Sequence, residues 1–173
     1  MTIEANYLGM PLRLDDADHE NRAYFGFCAR HRFHLQRCEA CDLVHYPPGT
    51  ACPWCGDPHS EWVPVEGRGT VHSYTEVHHA IHPAFRQASP YLVLLVELDT
   101  QRGVPTEHEA IRVLGNLVTP DGALAPPDLV RQVGIGTRVR MVFTDVAEGL
   151  SLPQWAIDEG ADQPASPWRY PIE

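Results

Sequence analysis

The sequence predicts a mainly β protein, with a short N-terminal helix, a zinc ribbon and a five-stranded barrel. Two Cys-x-x-Cys pairs separated by ten residues indicate the ribbon, and five short strand-like segments separated by turn residues follow them. A length of 173 residues suits one domain with a small added module. We divide the chain into an arm and helix (1–32), a ribbon (33–65), a barrel (66–157) and an irregular tail (158–173).

Four cysteines form the predicted metal site of the ribbon. Cys38-x-x-Cys41 and Cys52-x-x-Cys55 each place two thiolates on one tight turn. Four sulfurs about 2.3 Å from one ion complete a tetrahedral shell without a position for water or substrate, so the site is structural. We expect Zn²⁺, with iron as the competing metal in the same shell. Disulfides are a further alternative, but no secretory signal precedes the cysteines.

Composition argues against several classes of function. The net charge is −10 with histidines neutral, which opposes binding to a nucleic-acid backbone. The longest apolar run, residues 91–96, has the length of a strand and is too short to span a membrane. Since the N-terminal residues lack the features of an export signal, we expect a cytoplasmic protein without a membrane partner.

The N-terminal region is expected to hold one helix. Residues 1–14 lack a hydrophobic period and are expected to form an extended arm. Asp18 is a candidate N-cap for a helix over residues 19–29. This helix is aromatic on much of its circumference, which predicts burial on more than one side or docking on a partner. Cys28 is expected to be a small buried residue of the helix rather than a nucleophile.

Short alternating segments predict the strands of the ribbon and the barrel. Segment 91–98 is almost wholly apolar, so we expect it to be buried on both faces. Five strands with one helical connection fit an OB-fold barrel, with a five-stranded sandwich as the alternative. The predicted ribbon strands cover 33–37, 43–48 and 61–65, the barrel strands cover 70–77, 91–98, 111–118, 138–146 and 151–157, and the connecting helix covers 126–133.

The tail, residues 158–173, contains three prolines and is expected to lack regular structure. Trp168 and Tyr170 are unusual residues for a solvated tail. They are expected either to attach the tail to its own barrel or to anchor another chain.

Basic side chains near the first cysteine pair are candidate ligand contacts. Arg30, Arg32 and Arg37 form the densest basic patch of the sequence. Such a patch is either a solvated turn or an anchor for a small phosphorylated ligand or an acidic partner.

A histidine-rich segment between two predicted strands gives the second set of candidates. Residues 78–90 are expected to form a loop at the barrel mouth, where His78, His79, His82 and Phe85 contact a ligand. A second metal site at His78 and His82 lacks a carboxylate at a suitable spacing. General base catalysis by these histidines lacks a nucleophile or a paired carboxylate.

A series of short motifs follows in a fixed order along residues 19–157. It resembles the zinc-ribbon plus OB-fold family once labelled domain of unknown function thirty-five. The resemblance implies a rubredoxin-like ribbon followed by an OB barrel, with the four cysteines at the family's metal positions. Family members often carry a glycine between the helix and the first ribbon strand, where this chain has Arg30-His31-Arg32. The sequence therefore does not determine whether the helix ends as it does in the family. After the helix, the motifs are Leu35-Gln36-Arg37-Cys38, Cys41, Tyr46-Pro47-Pro48, Cys52-Pro53, Cys55-Gly56, Gly67-Arg68-Gly69-Thr70-Val71, His82-Pro83-Ala84-Phe85, Pro90-Tyr91, Val96-Glu97-Leu98, Gly115-Asn116-Leu117-Val118 and Gly136-Thr137-Arg138-Val139-Arg140.

The resemblance also implies a function. Members of this family are typically small subunits that accompany thiolase-like proteins or thiolase-derived retro-aldolases, and the partner supplies the catalytic residues. We therefore expect an accessory, non-catalytic or co-catalytic subunit of an acyl-CoA complex that breaks or forms a carbon–carbon bond by thiolysis or retro-aldol reaction. The alternatives are a stand-alone OB-fold module that binds acyl-CoA or single-stranded nucleic acid, and an enzyme that uses the histidine segment 78–82.

Overall fold

The computed structural model describes residues 2–171, so Met1, Ile172 and Glu173, at the ends of the predicted arm and tail, lie outside the described residues. The described residues form a hairpin, a three-stranded ribbon sheet and a five-stranded barrel sheet, which confirms the predicted mainly β class. The elements are β1 (Ile3–Tyr7), β2 (Met10–Leu14), α1 (His19–Cys28), β3 (His34–Cys38), β4 (Val44–His45), β5 (Ser60–Pro64), β6 (Arg68–Val77), a 3-10 helix (Pro83–Ala88), β7 (Tyr91–Leu98), β8 (Arg112–Asn116), α2 (Pro127–Val130), β9 (Arg138–Ala147) and β10 (Leu150–Ile157).

The five barrel strands have the connectivity of an OB fold. They lie in the order β10-β9-β6-β7-β8, and every neighbouring pair is antiparallel. A parallel bridge between Leu117, just after β8, and Trp155 of β10 joins the two edge strands, and the Val118 N–H donates to the Trp155 carbonyl at 2.8 Å. Helix α2 lies in the connection from β8 to β9. This closure supports the predicted OB barrel over a sandwich.

The barrel interior is filled by alternate side chains of its strands. Trp155 is fully buried, and a Cβ atom on Gly115 would lie 2.8 Å from its ring, so the close approach of β8 requires glycine. The prediction that strand β7 is buried on both faces is wrong, because one of its faces is only half-buried. As one wall of a barrel, β7 has a single face toward the interior. The fully buried residues of β7 are Leu92, Leu94, Val96 and Leu98.

The N-terminal residues form a hairpin rather than the predicted extended arm. Strands β1 and β2 pair from Ile3 opposite Leu14 to Tyr7 opposite Met10. The two turn residues, Leu8 and Gly9, have φ angles of 54° and 95°. Two positive φ angles suit a tight hairpin turn, and Gly9 adopts one readily, but leucine rarely does, so Leu8-Gly9 is a weak hairpin signal.

Helix α1 begins and ends close to its predicted bounds. The Asp18 side chain accepts a hydrogen bond from the Asn21 N–H at 3.2 Å, which confirms Asp18 as the N-cap. Tyr24 and Cys28 are buried in the main core. The Phe27 ring stacks on His34 with centroids 4.2 Å apart. The aromatic residues of the helix therefore pack within the chain itself.

The end of α1 adopts the turn that a glycine usually forms. The Arg32 N–H donates to the Phe27 carbonyl at 3.1 Å, and the His31 N–H donates to the Cys28 carbonyl at 2.8 Å. His31 has a φ angle of 53°, the left-handed conformation that favours glycine. Its Nε2 lies 2.8 Å from Oδ1 of Asp145 on β9. This contact helps to hold the histidine in that conformation.

The ribbon and the barrel share one hydrophobic core. Phe33 and Leu35 of the ribbon segment belong to the same cluster of buried side chains as the barrel interior. Gln101, just after β7, also connects the two modules, because its amide accepts from the Val44 N–H at 2.7 Å and donates to the Val44 carbonyl at 2.9 Å. The cysteine site is therefore held on the barrel by both apolar and polar contacts.

Candidate functional site

Four cysteine sulfurs converge in the ribbon. Their Sγ atoms all lie within 4.8 Å of one another, with Cys38 3.5 Å from Cys55 and Cys41 3.6 Å from Cys52. Sulfurs bound tetrahedrally to one ion at about 2.3 Å lie about 3.8 Å apart, so the arrangement fits a metal ion. All five cysteines lie among the described residues, and all are free, so the disulfide alternative fails.

Two similar turns present the four sulfurs. The Asp42 N–H donates to the Cys38 carbonyl at 3.0 Å, and the Gly56 N–H donates to the Cys52 carbonyl at 2.9 Å. The residue after each pair is left-handed, with φ angles of 60° at Asp42 and 81° at Gly56. Glycine and aspartate are among the residues that adopt this conformation most readily. The residue that follows each Cys-x-x-Cys pair therefore helps to shape the turn.

The hydrogen bonds around Cys52 favour its thiolate. Burial alone raises the pKa of Cys52, but the backbone N–H groups of Cys55 and Trp54 and the Cys41 thiol lower it to about 7. Cysteine binds metals as the thiolate, so this residue offers a charged ligand near neutral pH. The pKa values of Cys41 and Cys55 are raised instead, so the convergence of the four sulfurs, and not their acidity, is what indicates a metal site.

The three candidate arginines have different surroundings. The Nε of Arg37 donates to Glu61 on β5 at 3.1 Å and lies 3.5 Å from Asp42, so its charge is compensated within the ribbon. The Arg30 guanidinium lies 5.1 Å from the Phe27 ring centroid. Arg30 and Arg32 are exposed beside the end of α1. Of the patch predicted from sequence, these two arginines are the more accessible to a ligand.

The segment after β6 is more ordered than the predicted loop. His82 caps the 3-10 helix, because its Nδ1 accepts from the Ala84 N–H at 3.2 Å. Phe85 is buried, and its ring centroid lies 5.8 Å from that of Tyr7 in the N-terminal hairpin. Phe85 therefore attaches the hairpin to the barrel, and His82 shapes the segment.

The other two candidate histidines line a cleft. His78 and His79, with Arg86 and Ser89, border a space of about 440 Å³. The Nε2 of His78 lies 3.4 Å from Oε1 of Glu76. Within residues 2–171, the cysteines form the only group of side chains arranged to hold a metal, so no second metal site is found at the histidines.

The tail returns to the barrel beside β6. The Ile135 N–H donates to the Trp168 carbonyl at 2.9 Å, and the Trp168 N–H donates to the Ile135 carbonyl at 3.1 Å. The Tyr170 N–H donates to the Tyr74 hydroxyl at 2.8 Å. The backbone therefore attaches the tail, whereas the Trp168 and Tyr170 side chains remain exposed.

A four-cysteine ribbon that shares its core with an OB barrel defines a class of two-module proteins. The family model described as "ChsH2, C-terminal OB-fold domain" matches residues 62–144. The solved structure described as "Ltp2-ChsH2(DUF35) aldolase" is 33% identical in sequence with a TM-score of 0.64, and the match covers 83% of this chain and 98% of that chain. The chain belongs to the DUF35 family, which confirms the resemblance found in the sequence.

Two further comparisons extend this result. A Thermomonospora curvata protein named "Probable enoyl-CoA hydratase alpha subunit" is 35% identical over 134 residues, which are 78% of this chain and 36% of the relative. The chain thus spans about a third of that relative. A crystal structure of a DUF35 protein of unknown function from Sulfolobus solfataricus, at 14% identity and a TM-score of 0.51, covers 82% of this chain and 87% of that chain and supports the fold alone.

Hydropathy adds one observation to these comparisons. Across residues 2–171, each helix is too short or too polar to cross a lipid bilayer.

Proposed function

We propose that the chain is an accessory subunit of a heteromeric acyl-CoA complex. In this proposal, a thiolase-like or thiolase-derived partner breaks or forms a carbon–carbon bond beside the thioester carbonyl. The observation that carries the proposal is the similarity over 98% of a solved chain whose description pairs Ltp2 with a DUF35 protein in an aldolase. The Thermomonospora curvata relative is also named as a subunit, and its name places it in acyl-CoA chemistry.

The names of the two relatives favour a retro-aldol reaction over thiolysis. A hydratase adds water to an enoyl thioester and gives a 3-hydroxyacyl thioester. In a retro-aldol cleavage, the 3-hydroxyl loses its proton and becomes a carbonyl, the Cα–Cβ bond breaks, and its electrons form a thioester enolate that is then protonated. Thiolysis instead requires a 3-oxoacyl thioester. The product of hydration is therefore the substrate of retro-aldol cleavage, whereas thiolysis would first require its oxidation.

The residues of this chain support an accessory role. Four thiolates close the coordination shell of a metal, and we propose that this metal is structural Zn²⁺ rather than iron. Cys28 is fully buried, and burial raises its pKa to about 12, so it is a poor nucleophile. The partner then supplies the catalytic residues, while the exposed His78, His79 and His82 border the shared site and the buried Phe85 packs against His82.

A CoA thioester is the proposed ligand of the complex, and Arg30 and Arg32 are its proposed phosphate contacts. Both arginines are exposed and flank His31, whose side chain contacts Asp145 of β9. Charge reversal by Arg32→Glu should weaken acyl-CoA binding to the complex about tenfold, because one charge-assisted contact is lost. Calorimetry compares this variant with Arg131→Glu, at an exposed arginine that ends helix α2. Equal affinity in both variants would remove Arg32 from the site.

The nucleic-acid alternative has less support. Tyr74 of β6 offers an aromatic ring on which a base could stack, but the Arg169 guanidinium of the tail lies 5.4 Å from its ring centroid. The net charge of −10 also opposes a phosphate backbone. A cytoplasmic location remains a prediction from sequence.

Reconstitution tests the proposed function. The isolated chain, the isolated partner and their mixture are each incubated with a 3-hydroxyacyl-CoA, and the shortened acyl-CoA is measured by mass spectrometry. We expect no turnover by the chain alone and the highest rate with both subunits. Turnover by the metal-loaded chain alone, or a partner rate unchanged by the chain, would contradict the accessory role.

A further inference from the structure

Three large apolar side chains are exposed along the cleft that His78 lines on the tail side, and a fourth, Ile81, is exposed three residues after His78. Ile81, Tyr170, Trp168 and Ile135 are 95%, 75%, 52% and 36% exposed, respectively. His78 lines both the cleft of about 440 Å³ on the loop side and a second cleft of about 460 Å³ on the tail side. We call these five residues the aromatic face. Clustered exposed apolar side chains mark interaction sites, because leaving them in water is unfavourable.

The tail is held so that its two aromatic rings lie beside β6 with much of their surface exposed. Arg169 lies between them in sequence and turns inward, where its guanidinium donates to the Val130 carbonyl at 2.7 Å and pairs with Glu76. In an extended chain, the neighbours of an inward residue point outward. The backbone at Trp168 and Tyr170 is therefore held in place, and the two exposed rings contact each other with centroids 5.7 Å apart. A segment that is already held in place loses less conformational entropy on binding.

Gly134 permits this close approach of the tail. A Cβ atom at residue 134 would lie 2.3 Å from the Trp168 carbonyl oxygen. That distance is well inside any allowed contact, so a larger residue would displace the tail. The exposed position of Trp168 thus depends on glycine at residue 134.

The charge around the aromatic face differs from that of the whole chain. Glu76 is the one carboxylate among the residues lining the two clefts, all of them within the described chain, and it is paired with Arg169 and lies near His78. Arg86 adds an exposed positive charge. The chain as a whole carries −10. An acidic surface is therefore repelled by most of the molecule but is complementary to this face.

We propose that the aromatic face docks the protein partner, through an apolar patch of that partner bordered by carboxylates. The inference rests on the proposed function, since it assigns a surface to the subunit contact. Tryptophan and tyrosine supply most of the binding free energy in many interfaces, and both are exposed here beside a compatible charge. Binding of an acyl-CoA molecule, or of a second copy of this chain, at the aromatic face would contradict this proposal.

Binding of purified variants to the partner tests the inference. The partner is purified with the tagged wild-type chain and identified as an enzyme that acts on acyl-CoA thioesters. Trp168→Ala, Tyr170→Ala and Ile81→Ser should each weaken the complex about tenfold or more. Arg86→Glu should also weaken the complex, and this effect should be larger at low salt than at high salt. Leu114→Ser, at an exposed leucine of β8, is the matched control and should bind like wild type.

The outcomes separate this inference from the proposed function. If the aromatic-face variants bind like the control while the wild type binds its partner, the inference fails and the proposed function stands. If the wild-type chain captures no thioester-processing enzyme, both fail. Loss of acyl-CoA binding by the isolated variants, or loss of a dimer in analytical ultracentrifugation, would assign the face to that other occupant. Because Ile81 and Tyr170 are largely exposed, their variants should fold, and thermal unfolding checks this.

Discussion

Glutamine side chains hold separate segments together at three points of this molecule. In each case, one amide pairs with both the N–H and the carbonyl of a single residue, much as a neighbouring strand does. Distances of 2.8 and 3.0 Å join Gln36 to Gly49 in the ribbon. Gln101 pairs with Val44 in the same way, and Gln163 pairs with Arg138 at 2.9 and 3.0 Å. These contacts link segments far apart in sequence, so no local pattern predicts them.

Substitution of Gln36 by glutamate should destabilise the ribbon. The carboxylate keeps an acceptor for the Gly49 N–H but loses the donor to the Gly49 carbonyl, and it brings a charge to a buried position. We expect a loss of about 1–3 kcal/mol in the free energy of unfolding, measured by urea denaturation of the metal-loaded chain. Gln87→Glu, at an exposed position, is the matched control. An equal midpoint for both variants would show that the amide pairing contributes little.

At the scale of elements, the ribbon is the part that sequence predicts best. Cysteine spacing is a local signal, and the residues after each pair, Asp42 and Gly56, adopt the left-handed turns that the spacing requires. The barrel strands were also predicted, because the alternation of apolar and polar residues shows which side of each strand faces the core. The predicted β7 had the observed bounds, Tyr91–Leu98, although only one of its faces is fully buried.

The N-terminal hairpin was not predicted, and the form of the turn that ends α1 was left undecided, because both depend on distant contacts. The hairpin turn at Leu8 and the helix end at His31 place non-glycine residues at φ angles of 54° and 53°. Packing of Tyr7 on Phe85 holds the hairpin, and the contact with Asp145 holds His31. Sequence rules look for glycine or asparagine at such positions, and neither residue is present. Ile81 was overlooked for a different reason, because a single isoleucine in a histidine-rich segment has no period.

Metal content tests the ribbon as an element. Cys38→Ala and Cys52→Ala each remove one of four ligands, so we expect loss of the metal and of hydrogen-exchange protection in β3 to β5. Cys28→Ala should retain one metal ion per chain, because Cys28 is buried in the core away from the four sulfurs. Inductively coupled plasma mass spectrometry counts the metal and distinguishes zinc from iron. A full metal content in Cys52→Ala would contradict the four-cysteine site.

At the scale of the whole molecule, helix, ribbon and barrel act as one support for two exposed regions. The main core runs from Tyr24 of α1 through the ribbon to Trp155 of the barrel. This continuity keeps the exposed arginines at the end of α1 and the aromatic face in a fixed relation to each other. An accessory subunit needs such rigidity, because it must contact a partner and a shared ligand at the same time.

Affinity purification of the tagged chain from its own host tests the central claim most directly. The material eluted under mild conditions is analysed by native mass spectrometry, and every stoichiometric component is identified. The proposed function predicts a fixed ratio of this chain to an enzyme that cleaves or forms carbon–carbon bonds beside a CoA thioester. Recovery of the metal-loaded chain without any stoichiometric enzyme would contradict an accessory role.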